Sequence, residues 1–86
     1  MKYVIFEDSK TGVKLPVIFG DHTVHSSINM ERCHPVSGGF FMIGKYGTVT
    51  TYGTAESLGL RPQDGDDGLL FCVLQNMGTM FFFNRI

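Results

Sequence analysis

The sequence predicts a small α+β protein, with an antiparallel sheet of about five strands, one short helix and one C-terminal helix. Short β-branched and aromatic runs alternate with clusters of turn residues, which is typical of a meander of strands. One longer apolar segment near the C-terminus, residues 69–77, has the length of a helix. The 86 residues predict a single domain, 1–86, and a chain of this size buries roughly 60% of its unfolded surface.

A β-hairpin is predicted at the start of the chain. Residues 3–6 (YVIF) are apolar and lead into a polar turn, and residues 13–19 form the returning strand. Pro16 has no amide hydrogen, so this second strand is predicted either to lie at a sheet edge or to contain a bulge.

A polar connection and a second hairpin follow. Residues 20–34 are long for a structureless connection, and residues 27–32 within it predict one helical turn capped by Ser26 or Ser27. Residues 37–43 predict a third strand. Residues 48–52 (TVTTY) predict a fourth, because β-branched and aromatic side chains favour sheet.

The last third of the chain predicts two helices and a closing strand. Residues 54–60 have the composition of a short helix, with Thr54 as its N-cap and Gly59 near its end. Residues 69–77 predict a helix preceded by two aspartates that suit its positive end, with a buried strand as the alternative. Gly78 then ends the helix, and residues 79–84, built on three phenylalanines, predict the closing strand.

Three apolar runs predict that the chain associates with itself. Residues 3–6, 40–43 and 80–83 do not alternate apolar with polar side chains, so each run places large apolar groups on both faces of a sheet. One helix covers one face, and leaving two or three phenylalanines in water forfeits several kcal/mol, at roughly 1.5–3 kcal/mol each. The prediction is a homo-oligomer, a dimer first. The alternative is a well-covered monomer in which one helix and the long loop shield the second face.

Composition excludes several classes of partner. The net charge is −1 and the seven Lys and Arg residues are scattered, which argues against binding to nucleic acid. The longest uncharged stretch, residues 68–84, is shorter than the ~20 apolar residues that a membrane span needs, and the N-terminal run is too short for a secretory signal. Two cysteines without a disulfide pattern predict reduced thiols and a cytoplasmic protein.

Metal and catalytic sites are not expected. His22, His25, Cys33 and His34 are metal-competent, but the Cys-His pair is adjacent in sequence, which makes tetrahedral convergence awkward. Sequence neighbours such as Cys33-His34 and His25-Ser26 seldom face one another as nucleophile and base, and no strained nucleophile turn is present. We therefore expect a protein that is not an enzyme and that uses neither cofactor nor metal.

Small polar residues at predicted strand ends predict a pocket for a small phosphorylated ligand. Glycines let backbone amides approach a phosphate or ribose, and serine hydroxyls add adaptable hydrogen bonds. Arg61 would supply a forked donor to phosphate, and Tyr52 would stack on a base or donate its hydroxyl. The candidate ligand-binding residues are His25, Ser26, Ser37, Gly38, Tyr52, Ser57 and Arg61.

The same residues resemble a group of small, functionally uncharacterised proteins of bacteriophages and prophages. The shared motifs, in chain order, are residues 16–19 (PVIF), 25–26 (HS), 35–40 (PVSGGF), 52–53 (YG), 57–60 (SLGL) and 61–64 (RPQD). The resemblance spans most of residues 1–67. From residue 68 onward the chain departs from the group with a longer apolar tail, so the resemblance does not extend to its assembly.

The resemblance implies a phage protein that antagonises bacterial immunity in the host cytoplasm. One class of such antagonists consists of sponges, which sequester immune nucleotide second messengers without turning them over, and the glycines, hydroxyls and arginine favour it. The alternative class blocks a host defence protein by direct contact, which the unbalanced apolar strands favour. We expect the first: a homo-oligomer that binds a small phosphorylated nucleotide.

Overall fold

The computed structural model contains four strands and one long helix. It describes the backbone of residues 1–85 and the side chains of residues 1–76. The strands are β1 (Lys2–Asp8), β2 (Lys14–Phe19), β3 (Cys33–Ile43) and β4 (Val49–Tyr52), and the helix is α1 (Asp66–Arg85). Two single 3-10 turns, His25–Ser27 and Glu56–Leu58, interrupt the connections.

The strands form one antiparallel sheet in the order β2-β1-β3-β4. Both predicted hairpins are confirmed as neighbouring strands, and β1 of the first hairpin pairs with β3 of the second. β2 is an edge strand, which confirms the expectation from Pro16. Pro16 pairs with Ile5 of β1.

A second proline, Pro35, lies inside the sheet at a bulge. Ile5 pairs with Ser37 and the next residue, Phe6, pairs with Pro35, so β3 carries Val36 as one extra residue at this point. A bulge tolerates a residue without an amide hydrogen. β3 therefore continues past the predicted strand start at residue 37, back to Cys33.

The helix packs on one face of the sheet and encloses the main core. Tyr3 and Ile5 of β1, Phe41 of β3, Val49 of β4 and Leu70 of α1 form this cluster, and each is less than a tenth exposed. The predicted helix at residues 69–77 is confirmed, and the strand alternative is wrong. α1 begins at Asp66, three residues before the predicted start, so the acidic pair expected ahead of the helix lies within its first turn.

The opposite face of β1 is also closed within the chain. Val4 and Phe6 point to that face and are 0% and 1% exposed. Part of the cover is the segment of residues 53–62, where Ala55 is fully buried and lies so close to Gly38 that a β-carbon there would come within 3.1 Å of the Ala55 β-carbon. The premise that a second chain must cover residues 3–6 is wrong, because loops do so.

The C-terminal strand is the largest correction. Residues 79–84 belong to α1 and Gly78 does not end the helix, so the sheet has four strands where about five were predicted. Aromatic residues favour sheet only weakly, whereas extending an existing helix adds a hydrogen bond per residue without a new nucleation cost. The side chains of the three phenylalanines, residues 81–83, lie outside the described part.

Both predicted short helical segments are reduced to 3-10 turns. The segment of residues 54–60 forms only Glu56–Leu58, where the N-cap position is Ala55 and no side chain caps the turn, but Gly59 does follow it in the left-handed conformation with φ 68°. The turn expected at residues 27–32 occurs earlier, at His25–Ser27, again without a side-chain cap. Three-residue turns are too short to need the capping that the prediction assumed.

Candidate functional site

An aromatic row crosses the sheet on the face opposite α1. Lys2 of β1 pairs with Phe19 and Phe40 on its two neighbouring strands, and Phe40 pairs with Tyr52 of β4. Cross-strand partners point to the same face, so these four side chains lie side by side. The Phe40 and Tyr52 rings are tilted against each other with centroids 5.7 Å apart.

His25 packs on the Phe19 and Phe40 rings of this row. Its ring is 4% exposed and contacts Phe19 edge-to-face at 5.3 Å and Phe40 at 5.5 Å between centroids. Nε2 lies 2.9 Å from the carbonyl oxygen of Gly39, which can only accept, so Nε2 donates. This bond holds the ring in one orientation.

The two 3-10 turns close one side of the resulting cleft. The amide of Ser26 donates to Ser57 Oγ at 3.0 Å, joining the turns across 31 residues of sequence. The open cleft between the turns and the row has a volume of about 560 Å³. We call it the aromatic cleft, and its lining residues are Lys2, Val24, His25, Phe40, Tyr52, Gly53, Thr54, Glu56 and Ser57.

Lys2 supplies a positioned cation at this cleft. Its Nζ donates to the carbonyl oxygen of Thr23 at 3.0 Å and lies 5.7 Å from the centroid of the Phe40 ring. One hydrogen bond leaves two of the three ammonium hydrogens for a ligand. Because the carbonyl bond and the ring contact restrict the side chain, the charge is held near the aromatic rings.

A second cleft, on the α1 face, is larger and mostly charged. It has a volume of about 810 Å³ and is lined by Glu7, Lys14, Val36, Ser37, Arg61, Pro62, Gln63 and Asp64. We call it the charged cleft. Two cations and two carboxylates line it, so its charges balance. The two salt bridges among the described residues, Met1 to Asp21 and Arg32 to Asp8, lie elsewhere.

Asp66 lies behind the charged cleft, where it accepts from the lining residues Ser37 and Gln63, and its carboxylate is fully engaged. Its carboxylate is 2% exposed and accepts from Tyr3 Oη at 2.7 Å, Ser37 Oγ at 3.0 Å and the Gln63 amide at 3.0 Å. Burial, together with the neighbouring Asp66 carboxylate, raises the pKa of the Tyr3 phenol well above its usual value of 10. The phenol therefore stays protonated and donates.

The predicted site residues are divided between these places. His25, Tyr52 and Ser57 line the aromatic cleft, with Ser26 beside it. Ser37 and Arg61 line the charged cleft. The seventh predicted residue is packed beneath Ala55, and its amide points to a carbonyl of the Arg61 backbone at 3.4 Å, so Gly38 has a packing role.

Arg61 also borders a third cleft, of about 410 Å³, which shares Thr54 and Glu56 with the aromatic cleft. Arg61 is therefore not a lining residue of the aromatic cleft, although it lines a neighbouring one. The expectation that Arg61 and Tyr52 act on one ligand stays a prediction.

Six of the nine lining residues of the aromatic cleft are outside the predicted set, among them Lys2, Phe40 and Glu56. The first two belong to strands that read as core, and only the pairing of β1 with β3 brings them together. The third looked like an ordinary residue of a helical first turn. A lysine at the start of an apolar strand is only a weak sequence signal of a ligand site, and no short motif marks it.

Other candidate chemistry is dispersed. Among residues 1–76, no three His, Cys, Asp or Glu side chains cluster as metal ligands. Cys33 and Cys72 are free thiols. His34 Nδ1 lies 3.3 Å from Ser9 Oγ, but both side chains are exposed and the pair lies outside the clefts. No helix in the described part of the chain is long and apolar enough to cross a membrane.

No protein-family model, curated protein or solved structure matches this chain.

Proposed function

We propose that this protein binds a small phosphorylated nucleotide in the aromatic cleft and sequesters it without turning it over. The observation that carries the proposal is the combination, in one open cleft, of a half-exposed tyrosine ring supported by a second ring and a positioned ammonium group. The ring suits a base and the ammonium suits a phosphate.

Tyr52 is the stacking surface in this proposal. Its side chain is 46% exposed, and Phe40 packs against it from the neighbouring strand. Base–aromatic stacking contributes about 1–3 kcal/mol and tolerates any base. A ring that is already held by a neighbour loses little conformational entropy when a ligand binds.

Lys2 is the phosphate-binding group, because it shares the cleft with Tyr52 whereas Arg61 does not. A hydrogen bond between two charged groups contributes about 1.5–3 kcal/mol. The serine hydroxyl of Ser57, which accepts from Ser26, keeps its own hydrogen for the ligand.

The arrangement of the cleft favours binding over catalysis. His25 Nε2 is used by a backbone carbonyl, and Ser57 Oγ is used by a backbone amide. Neither forms a nucleophile–base pair with another described side chain of the cleft, and nucleophilic catalysis needs such a pair. We accordingly propose no turnover and no cofactor.

The biological role follows from the resemblance to phage and prophage proteins. A nucleotide-binding protein without turnover removes its ligand by mass action, in proportion to its concentration. We propose that the ligand is a nucleotide second messenger of bacterial immunity and that sequestration takes place in the host cytoplasm.

Two matched pairs of variants test the site. Tyr52→Ala removes the cleft ring, whereas Tyr46→Ala removes a tyrosine that is 88% exposed on the β3–β4 turn outside the cleft. Lys2→Ala and Arg61→Ala each remove one cation. Isothermal titration with a panel of mono- and cyclic nucleotides should show affinity at least tenfold weaker for Tyr52→Ala and Lys2→Ala. The two control variants should stay within threefold of the unmodified protein.

Native mass spectrometry completes this test, since it reports bound mass and copy number together. Nucleotide released by heat denaturation should have an unchanged mass. A converted nucleotide would contradict sequestration. Absence of binding across the panel, or equal losses in the cleft and control variants, would contradict the assignment of the site.

A second candidate function is inhibition of a host defence protein by direct contact. Met42, Ile43 and Tyr46 are 55%, 56% and 88% exposed around the β3–β4 turn, next to the outer edge of β4. Apolar side chains beside an open strand edge favour pairing with another polypeptide. Co-purification of a host protein that is lost in Met42→Ser/Ile43→Ser would favour this function.

Self-association remains part of the proposal, now at this hairpin and not at β1. A second copy meeting the β4 edge would cover the same apolar side chains through a symmetric contact. Light scattering at micromolar concentration should return twice the chain mass, and the mass of one chain would contradict dimerisation.

A further inference from the structure

The buried histidine of the aromatic cleft has one unused ring nitrogen. His25 Nε2 donates to the Gly39 carbonyl, so in the neutral ring Nδ1 carries a lone pair and accepts. Among the described residues, every buried side-chain nitrogen or oxygen has a hydrogen-bond partner. Nδ1 has no hydrogen-bond partner, so this atom is not sealed from solvent. The open space that the His25 ring lines is the aromatic cleft.

Glu56 adds a second acceptor to the same cleft. Its side chain is exposed, lines the cleft between Thr54 and Ser57, and takes part in neither salt bridge of the described residues. An ionised carboxylate only accepts, through two oxygens about 2.2 Å apart, and suits a ligand that offers two adjacent donors.

The free polar capacity of the cleft is therefore unequal. Glu56 and His25 Nδ1 only accept. The charged donor, Lys2, is assigned to phosphate and already gives one hydrogen to a carbonyl, which leaves the single hydroxyl hydrogen of Ser57 to donate beside them. A base that presents donors satisfies such a cleft. A base that presents a lone pair to the carboxylate leaves it unpaired, which costs affinity.

We propose that the nucleotide is a guanine nucleotide, selected over an adenine nucleotide by Glu56. The Watson–Crick edge of guanine offers N1–H and N2–H side by side, so it can donate twice to one carboxylate. Adenine offers an acceptor at N1 next to its amino donor. The N1 lone pair would face an oxygen of the carboxylate, so two acceptors would meet. His25 Nδ1 accepts a further ligand hydrogen, from a sugar hydroxyl. This inference rests on the proposed nucleotide site and adds the identity of the base.

Titration of the full chain with GMP, IMP and AMP tests the selection. GMP should bind at least tenfold more tightly than AMP. IMP, which keeps N1–H but lacks the N2 amino group, should fall between them. Glu56→Gln should weaken GMP binding about tenfold and bring the GMP and AMP affinities within threefold of each other, because the amide offers one acceptor and one donor.

Glu31→Gln is the matched control, since Glu31 is exposed and lies outside the aromatic and charged clefts. It should leave all three affinities within twofold. Both glutamates are exposed, so neither substitution disturbs the core, and a thermal melt of each variant verifies this.

The outcomes separate the two proposals. Equal GMP and AMP affinities that depend on Tyr52 but not on Glu56 would overturn guanine selection and leave the nucleotide site standing. Absence of binding by all three nucleotides and by the wider panel would overturn the site itself, and guanine selection with it.

Discussion

The aromatic cleft and the charged cleft differ in how much hydrogen-bonding capacity their buried polar groups leave unused. Behind the charged cleft, Asp66 accepts three hydrogen bonds from within the chain, and one of them comes from the hydroxyl of Ser37, which lines the cleft. At the floor of the aromatic cleft, His25 uses one ring nitrogen and keeps the other. The larger cleft is therefore backed by a hydrogen-bond network that is already satisfied. The smaller cleft is lined by a histidine that can still accept a hydrogen bond from a ligand.

This difference is more informative than size or charge. The charged cleft is larger and holds two cations, which on composition alone makes it the better phosphate site. Its two carboxylates offset those cations, and its buried hydroxyl is occupied. A ring nitrogen that has no partner in the chain and stays open to solvent at a cleft is available to a ligand, whereas the groups around Asp66 are already paired.

The strongest test of the contrast is Asp66→Ala. It leaves the Tyr3 hydroxyl, the Ser37 hydroxyl and the Gln63 amide without their shared acceptor, and we expect a loss of about 3–5 kcal/mol in the free energy of unfolding. Urea unfolding followed by circular dichroism measures it. The control Asp67→Ala, an exposed first-turn carboxylate, should cost less than about 1 kcal/mol. Equal losses would mean that the network is not structural.

A smaller loss of stability is expected when the buried histidine of the aromatic cleft is replaced. His25→Ala removes a ring packed between Phe19 and Phe40 and leaves the Gly39 carbonyl unpaired, which should cost about 2–3 kcal/mol. The exposed His22→Ala provides the matched control and should change stability by less than about 0.5 kcal/mol. Nucleotide affinity should fall in His25→Ala and not in His22→Ala. A loss of stability with unchanged affinity would reduce His25 to a packing residue.

The smallest effect concerns alkaline pH and belongs to the charged cleft alone. Because burial and Asp66 raise the pKa of Tyr3 in the folded state, its contribution is fully present below the unfolded value near 10 and is lost as pH rises above it. The unfolding free energy should fall by up to about 1.4 kcal/mol for each pH unit above 10 from this group.

Tyr3→Phe isolates that contribution, since it removes the ionisable group and keeps the ring. Urea unfolding between pH 8 and pH 11 should show a shallower decline for Tyr3→Phe than for the unmodified protein, and Tyr46→Phe, at an exposed position, should not change the slope. Parallel declines in all three proteins would show that the Tyr3 pKa is not raised by folding.

The two parts of the fold were predictable to different degrees. Both hairpins followed from local pattern, because alternating turn residues and β-branched runs act over short distances. The edge position of β2 followed from one proline. The end of α1 did not follow, since aromatic residues favour sheet locally while an existing helix extends without nucleation.

The site was predictable only in fragments. Histidine, serine and tyrosine at strand ends indicated a polar pocket, and three of these side chains do line one cleft. Arg61 was grouped with them because it follows closely in sequence. In the structure the chain turns back at the Ala55–Leu60 bridge, and Arg61 lines the charged cleft and not the aromatic cleft.

Local sequence was enough to determine the hairpins, the presence of a helix after the two aspartates and the supply of polar side chains, since each depends on backbone preferences over a few residues. Strand order, the closure of both faces of β1, and the partners of His25 and Asp66 were decided by tertiary structure. These depend on contacts 14 to 63 residues apart in sequence. Such contacts form only when the whole sheet has assembled, so no short motif can encode them.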